Sequence, residues 1–119
     1  MKFDESKTQQ ACIKWFRYHF TKHVICSIPN GAVLSGDKMQ RIRQWKRLQS
    51  EGALPGMPDV FIAMRNDKCN GLFIEFKSEK GKLTETQKAI HALLINAGYC
   101  VKICRTLDEF ISVIKTYNI

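Results

Sequence analysis

Two short apolar runs with acidic residues at their ends constrain this chain more than any other feature. Val60-Phe61-Ile62-Ala63-Met64 follows Pro58-Asp59, and Leu72-Phe73-Ile74 precedes Glu75-Phe76-Lys77. The polar link Asn66-Asp67-Lys68-Cys69-Asn70-Gly71 between them is short, so the spacing predicts an antiparallel hairpin. Side chains alternate faces along a strand, which puts Glu75 and Lys77 on one side and Phe76 on the other. Asp59, Glu75 and Lys77 would then converge on one sheet edge. Two carboxylates and a lysine so placed can hold a hard divalent cation and steer a water, the chemistry of phosphodiester hydrolysis.

Each of the three residues also has a plainer reading. Asp59 follows a proline, where aspartate commonly shapes a turn. Lys77 at a strand end can extend its stem along apolar surface and leave its ammonium in water. Glu75 is harder to set aside. A charge within an apolar run costs several kcal/mol on a buried face unless it is paired or metal-bound, although an outward face would tolerate it. An aspartate followed by a partner strand bearing E-x-K arises by chance much less readily than any one residue alone.

The rest of the chain supplies the frame. Residues 4–20 read as a helix, with Cys12, Phe16 and Phe20 at spacing four. Residues 24–28 read as a strand closed by Pro29-Asn30-Gly31, and residues 38–50 as a second helix. On that helix Ile42, Trp45 and Leu48 share one side and Arg43, Lys46 and Arg47 another. Residues 52–58 are a loop, and the hairpin strands span 59–64 and 71–77. Thr84-Glu85-Thr86-Gln87 is a capping box opening a helix with an apolar stripe of Ile90, Leu93, Leu94 and Ala97, ended by Gly98. A strand over 99–104 follows. A second capping box, Thr106-Leu107-Asp108-Glu109, starts a helix carrying Phe110, Ile111, Ile114 and Tyr117. This order predicts one α/β domain over 1–119, with a central mixed sheet of about four or five strands flanked by helices.

Charge narrows the partners. The net charge is +8, which favours a polyanionic partner, most simply nucleic acid. No run of about 18 apolar residues exists to span a membrane. The polar, acid-bearing N-terminus lacks the apolar core of a signal peptide, so an intracellular location is expected. Five cysteines, with no C-x-x-C pair and with Cys26 and Cys100 inside apolar strand-like runs, indicate reduced and mostly buried thiols. His19 and His23 stand at i, i+4, but the helix is expected to end between them, and His91 reads as surface. Histidine-based metal or acid–base catalysis is therefore not expected.

Three motifs together resemble the VRR-Nuc family, within the PD-(D/E)XK nuclease superfamily. They are Gly56-Met57-Pro58-Asp59, Leu72-Phe73-Ile74-Glu75-Phe76-Lys77 and Gly81-Lys82-Leu83-Thr84-Glu85-Thr86-Gln87. Glu5-Ser6 with Gln9 looks like the family's N-terminal helix motif, Ile28-Pro29-Asn30-Gly31 like its strand–turn element, and Ala97-Gly98-Tyr99 like the entry to its late strand. The matches span almost the whole chain.

The resemblance implies a restriction-endonuclease-like core and an Mg²⁺- or Mn²⁺-dependent endonuclease. Asp59 and Glu75 would ligate the metal with the main-chain carbonyl of Phe76. Lys77 would orient or help deprotonate the attacking water. Glu5 would lie near the metal, as a ligand or through water, and Gln87 would reach the site. Thr84 and Gln87 fit a helix cap equally well, and whether Glu5, Gln9 or Gln10 faces the site stays open. Asn30, Arg43, Lys46, Arg47, Lys80 and Lys82 are candidate DNA contacts. Stand-alone members of the family imply a homodimer that resolves four-way (Holliday) DNA junctions, in the cytoplasm of a host cell if the chain is of phage or viral origin. A flap, splayed-arm or nicking nuclease, or a DNA-binding module without turnover, is the alternative. Aromatic residues all around the first helix (Trp15, Phe16, Tyr18 and Phe20) favour a dimer if more than one helix face is buried.

Overall fold

The computed structural model describes residues 3–29 and 34–118. Asn30, a candidate DNA contact, lies outside the described residues. Helix α1 (Phe3–His19) leads into strand β1 (Val24–Ser27), then α2 (Lys38–Ser50), β2 (Val60–Ala63), β3 (Leu72–Phe76), α3 (Glu85–Asn96), β4 (Cys100–Cys104) and α4 (Leu107–Tyr117). The order agrees with the one read from the sequence. Strands are shorter than expected, so Asp59 and Lys77 flank β2 and β3 rather than belonging to them.

The four strands lie in chain order across one mixed sheet. β1 and β3 both run antiparallel to β2, and β4 runs parallel to β3 with α3 as the crossover. The hairpin turn is held by Asn66, whose Oδ1 accepts from the amides of Lys68 and Cys69 at 2.9 and 2.6 Å. β3 is central and all five of its residues are buried.

Alternation along β2 and β3 sorts the layers. Val60 and Ile62, with Leu72, Ile74 and Phe76, face Cys12 and Phe16 of α1 and Phe110, Ile114 and Tyr117 of α4 in a single core. Burying each large apolar side chain there contributes roughly 1.5–3 kcal/mol. Asp59, Glu75 and Lys77 alternate to the opposite face, where α3 meets the sheet.

α3 is turned differently from the expected stripe. Its buried residue is His91, read as surface from the sequence, whereas Leu93 is 65% exposed. Ile90 and Leu94 are half-buried. The inward face is thus Gln87, Ile90, His91 and Leu94, a 3.6-residue repeat containing two polar members. Thr84 caps the helix as expected, with the reciprocal Gln87 bond in place. At α4 Thr106 also caps, but Glu109 bonds the amide of Arg105 instead of returning to the cap residue.

α2 differs more. Its bounds match those expected, yet none of its residues is buried, and among the described residues no other helix or strand packs against it. Ile42 is 38% exposed, and Trp45 and Leu48 are only half-buried. The aromatic surplus of α1 goes the other way. Phe16 is buried, Trp15 and Phe20 pack against the same core, and only Tyr18 stands out, at 79% exposed. The cysteines are all unpaired. Cys12 and Cys104 are buried, but Cys26 is exposed on edge strand β1, contrary to expectation.

Candidate active site

The β2–β3 register sets the first relationship. Val60 pairs with Ile74, so one step further Asp59 lies opposite Glu75 on the same sheet face. Two main-chain bonds fix Asp59 there. Its carbonyl accepts from the amide of Ile28 at 2.8 Å, and its Oδ2 accepts from the amide of Phe76 at 2.8 Å. The Pro58 ring just before it is fully buried. Gly56 explains the rest of the motif. Its φ is +92°, and a Cβ there would stand 2.8 Å from the Thr86 carbonyl. Only glycine lets this loop turn and pass against the first turn of α3.

Glu75 and Asp59 are both buried, at 3% and 5% exposure. Burial pushes the Glu75 carboxyl up to about 9, and the neighbouring Asp59 carboxylate adds to the shift. Asp59 is raised too, chiefly by burial, although its bond to the Phe76 amide opposes this. The nearby Lys77 ammonium favours the charged form of both. Two acids forced together out of water resist holding two negative charges, so the pair is a place where added positive charge is stabilising.

α3 meets this pair through two side chains one helical turn apart. Gln87 Oε1 accepts from Lys77 Nζ at 2.9 Å and from the Thr84 amide at 3.0 Å, while its Nε2 stands 3.5 Å from Glu75 Oε2. The cap bond and the contact with Lys77 are therefore made by one amide oxygen at once, since it carries two lone pairs. His91 Nε2 stands 3.3 Å from Glu75 Oε1. Burial holds the imidazole below its ordinary pKa, and Lys77 acts in the same direction while Asp59 opposes it.

The first helix brings Glu5 close to the pair. Glu5 Oε2 accepts from the Ser78 amide at 3.3 Å, and its charge raises both Asp59 and Glu75. One turn on, Gln9 buries its Oε1 with no hydrogen-bond partner among the described residues. Gln10 is exposed and bonds Ser6. Glu5 and Gln9 thus face inward and Gln10 outward, a choice the sequence left open.

The basic candidates divide. Lys80 and Lys82 lie on the loop joining Lys77 to the α3 cap, and the Arg105 guanidinium ties that loop through the carbonyls of Ser78 and Gly81. Arg43, Lys46 and Arg47 are exposed on α2, which no element holds against the carboxylates. Arg47 pairs with Glu51 at 3.3 Å on an exposed surface, a contact worth little. His19 and His23 are separated by the end of α1.

Donor chemistry decides what the pair could hold. Among the described residues no three His, Cys, Asp or Glu side chains form a metal-holding group. A side-chain cage for zinc is therefore not built among the described residues. Two buried carboxylates side by side fit instead an oxygen-preferring divalent ion that keeps part of its water.

The VRR-NUC domain family model matches residues 4–107. A solved structure described as a VRR_NUC domain protein is similar at a TM-score of 0.74 and 22% identity, with 98% of this chain and 89% of that one covered. A second, described as a VRR_NUC domain, reaches 0.65 at 16% identity, covering 98% and 99%. No curated protein matches the chain. At these identities the two structures speak for the nuclease-like fold alone.

Proposed function

Because the chain belongs to the VRR-NUC domain family, a nuclease-type family, we propose that it is a metal-dependent endodeoxyribonuclease acting on branched DNA. The observation that carries this is the meeting of Asp59, Glu75 and Lys77 on one sheet face with Gln87 bridging the last two. Asp59, Glu75 and the Phe76 carbonyl would hold Mg²⁺ or Mn²⁺. When bound, the ion supplies positive charge against a phosphate and lowers the pKa of water. The residues do the remainder. Lys77, positioned by Gln87, holds the attacking water and offsets charge that develops on the phosphate oxygens. The Phe76 amide keeps Asp59 aimed at the pair. Glu5, held on the Ser78 amide, sets the charge around the site and can reach it through water.

Substrate recognition follows from charge. The chain is net +8, and α2 carries Lys38, Arg41, Arg43, Lys46 and Arg47 with no acid between them. Such a surface contacts phosphates rather than bases, so DNA shape is what it selects. A four-way junction cut by a two-fold dimer suits one site per chain and two strands to cleave. A flap or nicking nuclease is the second reading, favoured by one observation: Trp15, Phe16 and Phe20 are used in the chain's own core, leaving less surface for a partner. The test is cleavage of labelled junctions, flaps and nicked duplexes with Mg²⁺, Mn²⁺ or EDTA. Junctions cut in pairs with either metal and intact in EDTA are expected. Full cleavage in EDTA would overturn the mechanism.

A further inference from the structure

His91 is an unusual residue to bury. It lies mid-helix on α3 at 6% exposure, with its Nε2 on Oε1 of Glu75. Gln87, one turn earlier, faces the other oxygen. The i, i+4 spacing puts both side chains on one helix face, so a single rigid element reaches both oxygens of one carboxylate. Contacts at both oxygens, at 3.3 and 3.5 Å, restrain the carboxylate from rotating about its last torsion. Each oxygen has two lone pairs, so one hydrogen bond leaves the other pair to face a cation. The helix itself is pinned close by the Gly56 loop at Thr86 and by the Thr84 cap.

We infer that His91 is a positioning residue for Glu75: its Nε2–H and the Gln87 amide together fix the carboxylate in the orientation that binds the divalent ion. This rests on the nuclease reading and adds to it a residue that touches neither DNA nor metal. Groups that hold a ligating carboxylate typically change metal affinity about 10–100-fold when removed. An apolar substitute of similar size would leave the carboxylate free to turn. A glutamine can place an amide N–H where Nε2 stands, whereas an asparagine amide is too short to reach it.

The experiment compares His91→Leu, His91→Asn and His91→Gln with the unaltered chain. Mn²⁺ binding to the DNA-free protein is followed by electron paramagnetic resonance, with circular dichroism to establish folding. Cleavage is measured over a range of metal concentration. The Mn²⁺ dissociation constant should rise about 10–100-fold in the Leu and Asn variants and stay within about threefold in Gln. Their cleavage should recover at high metal, with KM for DNA unchanged. If the Leu variant does not fold, the Asn and Gln pair still decides. Wild-type Mn²⁺ affinity in a folded Leu or Asn variant, or equal losses in Asn and Gln, would overturn the inference. Glu75→Ala separates this failure from that of the nuclease reading. Should the unaltered chain bind no Mn²⁺, or bind it as well without Glu75, the metal assignment falls and takes this role with it.

Discussion

Asp59 Oδ2 accepts a 2.8 Å hydrogen bond from the main-chain amide of Phe76, the residue between Glu75 and Lys77. The bond couples the two halves of the hairpin at the point where the chemistry is expected. Phe76 itself points away into the core at 1% exposure, so its amide cannot drift. One aromatic side chain buried on the far face thereby anchors an acid on the near face.

Asp59→Ala, Glu75→Ala and Lys77→Ala should each reduce cleavage by at least about 100-fold, the lower range for removal of a group acting in proton transfer or charge stabilisation. DNA binding, measured by gel shift with Ca²⁺, should stay near that of the unaltered chain because phosphate contacts are spread over many basic residues. Asp59→Asn should keep the Phe76 bond and the fold and still lose activity. Turnover near normal in Glu75→Ala would remove the site assignment.

Gln87 and Thr84 allow cap and site to be separated. Thr84→Ala breaks the cap alone and should cost about 1 kcal/mol of stability with kcat little changed. Gln87→Ala frees Lys77 as well, and should lose a similar amount of stability plus about tenfold in kcat. Urea melts and single-turnover cleavage measure the two. Equal kcat in both variants would reduce Gln87 to a capping residue.

Metal-free stability should fall as pH rises. Burial lifts Glu75 from 4.5 to about 9, and Asp59 moves the same way. Between those two values the folded chain keeps a proton that the unfolded chain has released. The contribution is therefore whole below about pH 4.5 and is lost as pH climbs through about 9. Glu75→Gln should flatten this slope, leaving the smaller part due to Asp59, and stabilise the metal-free chain by about 1–2 kcal/mol near pH 8, while ending cleavage. Denaturant melts in EDTA across this range measure it, and parallel curves for the two proteins would show that Glu75 is not strained.

Local signals explain which parts were legible in sequence. The hairpin, the α2 bounds and the Thr84 cap depend on residues within a few positions of one another, and these read correctly. His91 did not. An apolar count along α3 favours a stripe through Leu93, yet the helix turns toward Glu75, a partner sixteen residues away in sequence. The available signal was polar, a glutamine and a histidine at i, i+4 after an E-x-K strand. Trp45 and Ile42 fail for the converse reason. Periodicity marks a side that could be buried, but burial needs an opposing surface, and none of the described elements supplies one to α2. Cys26 reads as buried because its run is apolar, whereas β1 is an edge strand.

Charge reversal at Arg43, Lys46 and Arg47 should weaken binding to every DNA tested alike. Each lost phosphate contact lowers the slope of log K against log salt by about 0.9 on duplex DNA. Arg47, already paired with Glu51, should contribute least of the three. Fluorescence anisotropy at several salt concentrations gives both quantities. Unaltered slopes in the triple variant would place the DNA surface elsewhere.

Assembly is the property on which junction cleavage depends. A two-fold dimer would fix two sites at one separation and one relative orientation, so a junction is chosen by geometry and both strands are cut together. The core uses Trp15, Phe16 and Phe20, whereas Tyr18 stands at 79% exposure, available to a partner. Met39 and Ile42 on α2 are also exposed, at 58% and 38%. Light scattering at micromolar concentration should give twice the 13.7 kDa of the chain. Tyr18→Glu and Ile42→Glu test the two surfaces separately, and the one that carries the dimer should lose paired cuts while keeping single nicks. A chain that stays monomeric on DNA and cuts flaps better than junctions would exclude the resolvase. The carboxylate pair would then act once per encounter, on one strand.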